Sequence, residues 1–139
     1  EDYMLTKGAG FGKEACRRIL LGTYVLSAGY YDAYYGKAQK ARVALKKQFD
    51  GLFREVDVVL TPTVPSPAWK IGEKSDPLSA YLADIFTVTA NIVGVPAVSI
   101  PSGFVDIDGK KLPLGIQFMA SHGREDLLFE IGKKFESIR

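Results

Sequence analysis

The spacing of apolar positions along the chain predicts four helices. In the first, at 12–28, apolar side chains fall on nearly every side, which is typical of a helix buried all round. In the second, at 30–53, apolar residues recur every three or four positions and the lysines fall largely on the other side. The third begins at the capping signal at 75–77, ends near Val93 and is again apolar nearly all round. The fourth, at 124–138, has one apolar face.

Short apolar runs between these helices predict strands. The β-branched run at 56–60 is typical of a buried strand, and a proline ends it. The segments at 97–105 and 112–120 are joined by Asp108-Gly109, which is a hairpin turn signal. The element order α-α-β-α-β-β-α therefore indicates an α/β or α+β fold with a mixed sheet.

Length and composition restrict the classes of function. The 139 residues suggest one domain. The net charge of +2 gives no argument for nucleic acid or a membrane. Cys16 and His122 are the only residues of their types, so we expect no disulfide, no metal or other cofactor, and a cytoplasmic location. The start at Glu1 and a last helix that reads as unfinished are expected of a piece of a longer chain.

Two adjacent arginines, Arg17 and Arg18, lie inside the apolar first helix. Consecutive helical residues point about 100° apart, so at most one of the two can share the solvent-facing side of this helix. The other would enter a low dielectric and require an anion, because an unpaired buried guanidinium is very costly. Two anions meet this requirement: an internal salt-bridge partner, or a ligand carboxylate that the planar guanidinium binds bidentately.

The third predicted helix carries a polar stripe. Asp84, Thr87 and Asn91 are spaced by three and four, so they share one side of the helix. A buried aspartate is rare without a partner. That partner is either another part of the chain, through an ion pair or an interhelical cap, or the ammonium group of a ligand. An arginine and an aspartate that face one cleft would together form a receptor for a free α-amino acid.

The sequence gives little support for other catalytic or binding sites. A serine triad would have to use His122, which lies in a polar loop where a structural or solvent-facing role is expected. Nucleotide-binding glycine loops and the nucleophile elbow are absent. Paired tyrosines at 30–31 and 34–35, beside lysines, could stack on nucleic acid or pack against the core. Asp32 among them argues for packing.

Several strings match a known family. They resemble the A subunits of glutamyl-tRNA(Gln)/aspartyl-tRNA(Asn) amidotransferases, which are amidase-signature enzymes. The match covers essentially the whole chain in order. The long tyrosine-rich string is specific to these A subunits, whereas Asn-x-x-Gly-x-Pro and Pro-x-Gly-x-Gln are shared more widely among amidase-signature enzymes. The matching segments are GFGKE at 10–14, RRI at 17–19, LGTYVLSAGYYDAYY at 21–35, KAQK at 37–40, DVVLTPT at 57–63, DIFT at 84–87, AN at 90–91, GVPA at 94–97 and PLGIQ at 113–117.

The resemblance implies a fold and a missing portion. Members of the family form one large α/β/α domain around a mixed sheet, so 1–139 is expected to be the C-terminal portion of a single, incomplete α/β domain. Their nucleophile is a serine activated by a second serine across a cis peptide and by a lysine. These residues lie in a Gly/Ser-rich region N-terminal to everything present here. This sequence has no Gly-Gly-Ser-Ser stretch, so we expect it to lack the catalytic residues and to be inactive alone.

The resemblance also implies binding roles and partners. An arginine at the position of Arg18 binds the α-carboxylate of glutamine, and an aspartate at the position of Asp84 binds its α-ammonium group. The parent enzyme would hydrolyse glutamine and supply ammonia for amidation of misacylated Glu-tRNA(Gln) or Asp-tRNA(Asn). Its partners would be the N-terminal half of the same fold and the B and C subunits, with no direct contact to a membrane.

Two alternatives stay open. The chain could be a non-catalytic scaffold fragment whose exposed apolar face makes it self-associate as a homo-oligomer. It could also be the tail of a general amidase, although the tyrosine-rich string argues against that substrate class.

Overall fold

A computed structural model describes residues 6, 8–73 and 77–138 of the chain. The predicted helix start at Ser75-Asp76 lies outside the described residues. Among the helices that are described, none is long and apolar enough to cross a membrane. In chain order the elements are α1 (Lys13–Val25), a π-helix (Tyr31–Gly36), α2 (Lys37–Leu52), β1 (Val58–Pro62), α3 (Pro77–Leu82), α4 (Thr87–Val93), β2 (Ala97–Ile107), β3 (Lys110–Ala120) and α5 (Glu125–Ser137).

The chain divides into two compact units. The first comprises Glu1–Val43 and the second Ala44–Arg139, with the boundary inside α2. The first unit holds α1 and the π-helix, and the second holds all three strands of the described sheet. The assignment of 1–139 to a single, incomplete domain stays a prediction.

The described strands form one sheet in the order β1-β3-β2, with both pairs antiparallel. The predicted hairpin of β2 and β3 is confirmed, and its strands extend to Ile107 and from Lys110. The turn residues Asp108 and Gly109 have φ of 54° and 73°, the left-handed values that a two-residue hairpin turn requires. The α/β class is confirmed, but both pairings of the described sheet are antiparallel, so the predicted mixed sheet is not found among the described residues.

Helices of the second unit cover both faces of this sheet, because alternate strand residues point to opposite sides. On one face, α5 packs on β2 and β3 through a cluster centred on Ile100, Phe118 and Leu128. On the other face, Met119 and Val59 lie in a cluster with buried residues of α4 and with Leu45, Phe49 and Phe53. The second unit is therefore built as three layers, helix on sheet on helix.

The prediction that the first helix is buried all round is wrong for this chain. No residue of α1 is buried, and Leu20 is 71% exposed. Within its own unit α1 contacts the π-helix, which has only six residues and cannot surround it. The apolar surface that the sequence pattern identifies is present, but it is exposed.

Two predicted helices are each divided in the structure. The second consists of the π-helix followed directly by α2. The third consists of α3 and α4, separated by a turn at 83–86, and α4 ends at Gly94 with φ of 84°, as the glycine predicts. This turn places Asp84 outside both helices, with consequences for the candidate site.

The last helix agrees with its prediction and begins with a local ion pair. Nε of Arg124 donates to Oδ1 of Asp126 at 3.1 Å, and this hydrogen bond lowers the pKa of the Asp126 carboxyl. One turn later, Lys134 donates to Glu130 at 2.8 Å and lowers the pKa of that carboxyl in the same way. Asp126 lies in the first turn of α5, where negative charge complements the helix dipole.

Candidate functional site

A row of neutral polar side chains crosses the sheet on the face that carries α4. Thr61 of β1 and Ser99 of β2 are both direct neighbours of Gln117 on β3. Next to this row, Thr63 follows β1 and donates its backbone N–H to the carbonyl oxygen of Gly115. The same face is apolar around Met119, so its character changes from apolar to polar within two residues along β3.

An open cleft of about 320 Å³ lies between α4 and this polar row. Its polar lining comes from Thr87 and Asn91 of α4 and from Ser99 and Gln117 of the sheet. None of the residues lining it carries a formal charge. The cleft can therefore recognise a ligand through hydrogen bonds. A charged group of that ligand would have to be bound by residues outside this lining.

Gly115 makes room for a hydroxyl pair beside the cleft. Oγ1 of Thr63 and Oγ of Ser99 are hydrogen-bonded at 2.6 Å. A Cβ on Gly115 would lie 2.7 Å from Oγ1 and 3.2 Å from Cβ of Thr63, and 3.0 Å from Oγ of Ser99. Because all three contacts are shorter than ordinary van der Waals distance, any larger residue must displace the pair.

Gly115→Ala should therefore lower the free energy of unfolding by about 1–3 kcal/mol, the usual cost of forcing an extra carbon into a packed site. Gly51→Ala is the matched control: a Cβ there meets nothing within 4 Å, and alanine is the better helix former. Urea denaturation of the two variants measures the difference. Equal stability of Gly115→Ala and wild type would contradict the tight fit.

Of the predicted polar stripe, only Thr87 and Asn91 lie on one helix, and the aspartate is not buried. Oγ1 of Thr87 donates to the carbonyl oxygen of Asp84 at 3.2 Å, and Nδ2 of Asn91 donates to that of Thr87 at 3.0 Å. Asp84 itself is exposed because it lies in the turn at 83–86 rather than on a helix face. Within the described ranges, no ion pair involves its carboxylate.

The two arginines are also exposed, which corrects the prediction that one of them enters a low dielectric. Nη2 of Arg17 and Nε of Arg18 each lie 2.9 Å from a carboxylate oxygen of Glu14. The arginine side chains are 49% and 61% exposed. Both arginines thus pair with Glu14 at the surface, because α1 is not enclosed, and neither compensates a buried charge. The role of Arg18 in ligand binding stays a prediction.

The two predicted binding residues belong to different units. Arg18 lies in Glu1–Val43 and Asp84 lies in Ala44–Arg139. The cleft with the neutral lining lies within the second unit. Whether one amino acid bridges the two groups stays a prediction.

The tyrosines of the first unit contact one another. The rings of Tyr24 and Tyr30 are 4.4 Å apart, those of Tyr31 and Tyr35 are 5.0 Å apart, and those of Tyr30 and Tyr34 are 6.0 Å apart. A side-chain hydrogen bond with Tyr30 raises the pKa of Tyr24. Except for Tyr35 they remain exposed, so the predicted packing against a core is replaced by packing among the rings themselves.

His122 has a contact on the surface of the second unit. Its Nε2 lies 2.6 Å from Nζ of Lys46, which also lies 3.6 Å from Asp50. This arrangement agrees with the predicted structural or solvent-facing role. Over the described ranges, no group of three or more potential metal-ligating side chains comes together.

Sequence reasoning missed Gln117, Thr61 and Ser99 as site residues. A weak signal was present, because Thr61 follows three apolar residues of β1 and Ser99 lies between the apolar residues Val98 and Ile100 of β2. Only the strand register shows that these positions are neighbours.

Comparisons with known proteins agree on one family. The amidase family model matches residues 1–129. The A subunit of the glutamyl-tRNA(Gln) amidotransferase of Azotobacter vinelandii is 52% identical over 135 residues, covering 96% of this chain and 27% of that protein. The crystal structure of the A subunit of the Thermotoga maritima glutamyl-tRNA(Gln) amidotransferase is similar with a TM-score of 0.61 and 44% identity, over 86% of this chain and 26% of that chain. A 6-aminohexanoate cyclic dimer hydrolase is similar with a TM-score of 0.64 and 25% identity, over 81% of this chain and 25% of that chain. The chain thus spans about a quarter of the length of these relatives.

Proposed function

Because this chain belongs to the amidase family, we propose that it is the C-terminal portion of the A subunit of a glutamine-dependent amidotransferase. The observation that carries the proposal is the 52% identity to an A subunit over 96% of the chain. Identity to a hydrolase of the same fold is only 25%, which supports the amidotransferase over a general amidase. The full-length protein is then this chain joined to the N-terminal portion that the proposal requires.

The full-length protein would hydrolyse the side-chain amide of glutamine to glutamate and ammonia through an acyl-enzyme. The serine nucleophile, the second serine and the lysine would come from the N-terminal portion. Ammonia would then pass to the B and C subunits, which amidate Glu-tRNA(Gln) or Asp-tRNA(Asn) for protein biosynthesis in the cytoplasm. No part of this reaction requires a cofactor bound by the present chain.

The contribution of this chain would be to orient glutamine. The planar guanidinium of Arg18 suits bidentate binding of the α-carboxylate. The Asp84 carboxylate would accept hydrogen bonds from the α-ammonium group, and its exposure at the turn leaves it accessible to a ligand. Charge-assisted hydrogen bonds of both kinds would hold the amino acid end, so that the side-chain amide points to the nucleophile.

Ammonia release from glutamine tests whether the catalytic residues lie in the N-terminal portion and not in this chain. We expect the full-length protein to release ammonia and this chain alone to release none, because the chain has no Gly/Ser-rich stretch for the nucleophile. Coupled detection of ammonia with glutamine as the sole substrate measures both samples. Protein-dependent release by the isolated chain would overturn the assignment of the chemistry to the N-terminal portion.

A second candidate function is a non-catalytic scaffold. The exposed apolar side chains of α1, among them Ile19, Leu20 and Leu21, favour it, because such a surface must be covered by the rest of the fold or by a second copy. The same assay separates the two candidates. A scaffold predicts no glutamine-dependent ammonia from the full-length protein either.

A further inference from the structure

The turn that carries Asp84 lies between two helices that are short. α3 has six residues and α4 has seven, whereas isolated helices of fewer than about 12 residues are marginal in water. Local hydrogen bonds therefore do not suffice to fix residues 83–86. The position of the Asp84 carboxylate depends on what holds this turn against the sheet.

The side chain of Gln117 makes that contact. Gln117 lies on β3 between its two neighbouring strands and is only 4% exposed. Its Nε2 donates to Oγ1 of Thr61 at 3.0 Å and to the carbonyl oxygen of Phe86 at 3.1 Å. An amide nitrogen has two hydrogens, so both are used. Because a buried amide without partners is costly, the rotamer of Gln117 is fixed by these two acceptors.

The carbonyl oxygens of the turn show how this contact reaches Asp84. The carbonyl oxygen of Asp84 accepts from the backbone N–H groups of Thr87 and Val88 at 3.1 and 2.9 Å, which begins α4. The Phe86 carbonyl is instead bound to the sheet by Gln117. The turn is thus joined to α3 through the N–H groups of Asp84 and Ile85, to α4 through the Asp84 carbonyl and to β3 through the Phe86 carbonyl. Among these contacts, the hydrogen bond from Gln117 is the one that joins the turn to the sheet.

We propose that Gln117 is a positioning residue that fixes the turn at 83–86 to the sheet and thereby sets the place of the Asp84 carboxylate for the ammonium group of glutamine. The inference rests on the proposed function for its ligand, but the geometric part stands on the described hydrogen bonds alone. Thr61 also takes part in this positioning. Its hydroxyl oxygen accepts one N–H of the Gln117 amide and so orients the amide for its second N–H to donate to the carbonyl oxygen of Phe86.

Steady-state kinetics of the full-length protein tests the effect on the ligand. Gln117→Met keeps the length of the side chain but removes both donors, so we expect KM for glutamine to rise about 5- to 10-fold and kcat to change less than about twofold. Gln48→Met is the matched control, because Gln48 is exposed on α2 outside the site, and it should leave both constants unchanged.

If Gln117→Met fails to fold, a second pair of variants tests the positioning role of Gln117. Thr61→Val removes the hydroxyl acceptor at constant shape and should raise KM about threefold, whereas Thr61→Ser keeps the acceptor and should restore the wild-type value. A general loss of structure would not follow the presence of the hydroxyl in this way.

Hydrogen exchange of backbone amides separates this inference from the proposed function. We expect the amides of Thr87 and Val88 to exchange faster in Gln117→Met and Thr61→Val, while the hydrogen-bonded amides of β2 and β3 keep their protection. If Asp84→Ala raises KM but Gln117→Met and Thr61→Val change neither KM nor exchange, the inference is overturned and glutamine binding stands. If Asp84→Ala leaves KM unchanged, the proposed function fails, and exchange at 87–88 alone then supports or overturns the anchoring role. Faster exchange throughout β3 would also overturn it.

Discussion

Replacing Asp84 by alanine in the full-length protein should raise KM for glutamine about 10- to 100-fold, because a hydrogen bond to a charged group contributes about 1.5–3 kcal/mol. Asp84 lies in the turn at 83–86, with an exposed side chain and, within the described residues, no ion pair of its own. Among the described residues, its charge is thus not neutralised by an ion pair. The effect on kcat should be smaller, since the ammonium contact is present in both ground and transition states.

Two further variants make this result specific. Asp84→Asn keeps the shape and removes the charge, so it should show most of the increase in KM. Asp50→Ala is the matched control: it also removes an exposed aspartate of the second unit, and its partner is Lys46 rather than a ligand. Glutamine titrations of ammonia release measure all three. An unchanged KM for both Asp84 variants would contradict the ammonium site.

The part of the fold that could be predicted is the part with strong local signals. Asp108-Gly109 determines the hairpin of β2 and β3, because both residues accept the left-handed backbone of a tight turn. Gly94 ends α4 for the same reason. Such signals depend on a few neighbouring residues and so are readable without knowledge of the rest of the chain.

The break at 83–86 and the exposure of α1 could not be predicted, for two different reasons. The sequence at 77–93 has helical periodicity throughout, and the turn is tied to the sheet by Gln117, which lies more than 30 residues away along the chain. An apolar pattern, in turn, shows which side chains of α1 favour burial but not whether the described unit supplies something to cover them. Both features are set by elements distant in sequence.

The sequence pointed to two charged residues, whose role in binding stays a prediction, and it missed the neutral residues that line the cleft. Arg18 and Asp84 attract attention because a charge inside an apolar pattern requires an explanation. Thr61, Ser99 and Gln117 carry no charge and become a site only when the register places them side by side. The neutral lining of the cleft therefore could not be found from charge alone.

Replacing Arg18 by alanine in the full-length protein should likewise raise KM for glutamine about 10- to 100-fold, because the bidentate contact to the α-carboxylate is lost. Arg17→Ala is a closely matched control. Both arginines lie on α1, both are about half exposed or more, and both contact Glu14 at 2.9 Å. Exposed ion pairs of this kind contribute only about 0.3–0.5 kcal/mol to a helix. A rise in KM that is about tenfold larger for Arg18→Ala than for Arg17→Ala therefore supports a ligand contact at Arg18.

The lysine variant separates charge from shape at the same position. Arg18→Lys keeps the positive charge but not the planar pair of donors, so KM should remain raised, though less than in Arg18→Ala. Arg17 and Arg18 share Glu14 as their ion-pair partner. An equal rise in KM for Arg17→Ala and Arg18→Ala would therefore mean that the rise comes from a less stable α1 and not from a lost contact with the ligand. That outcome, or no rise in either variant, would contradict a carboxylate site at Arg18. A rise confined to Arg18 would assign the carboxylate contact to Arg18 rather than to its neighbour Arg17.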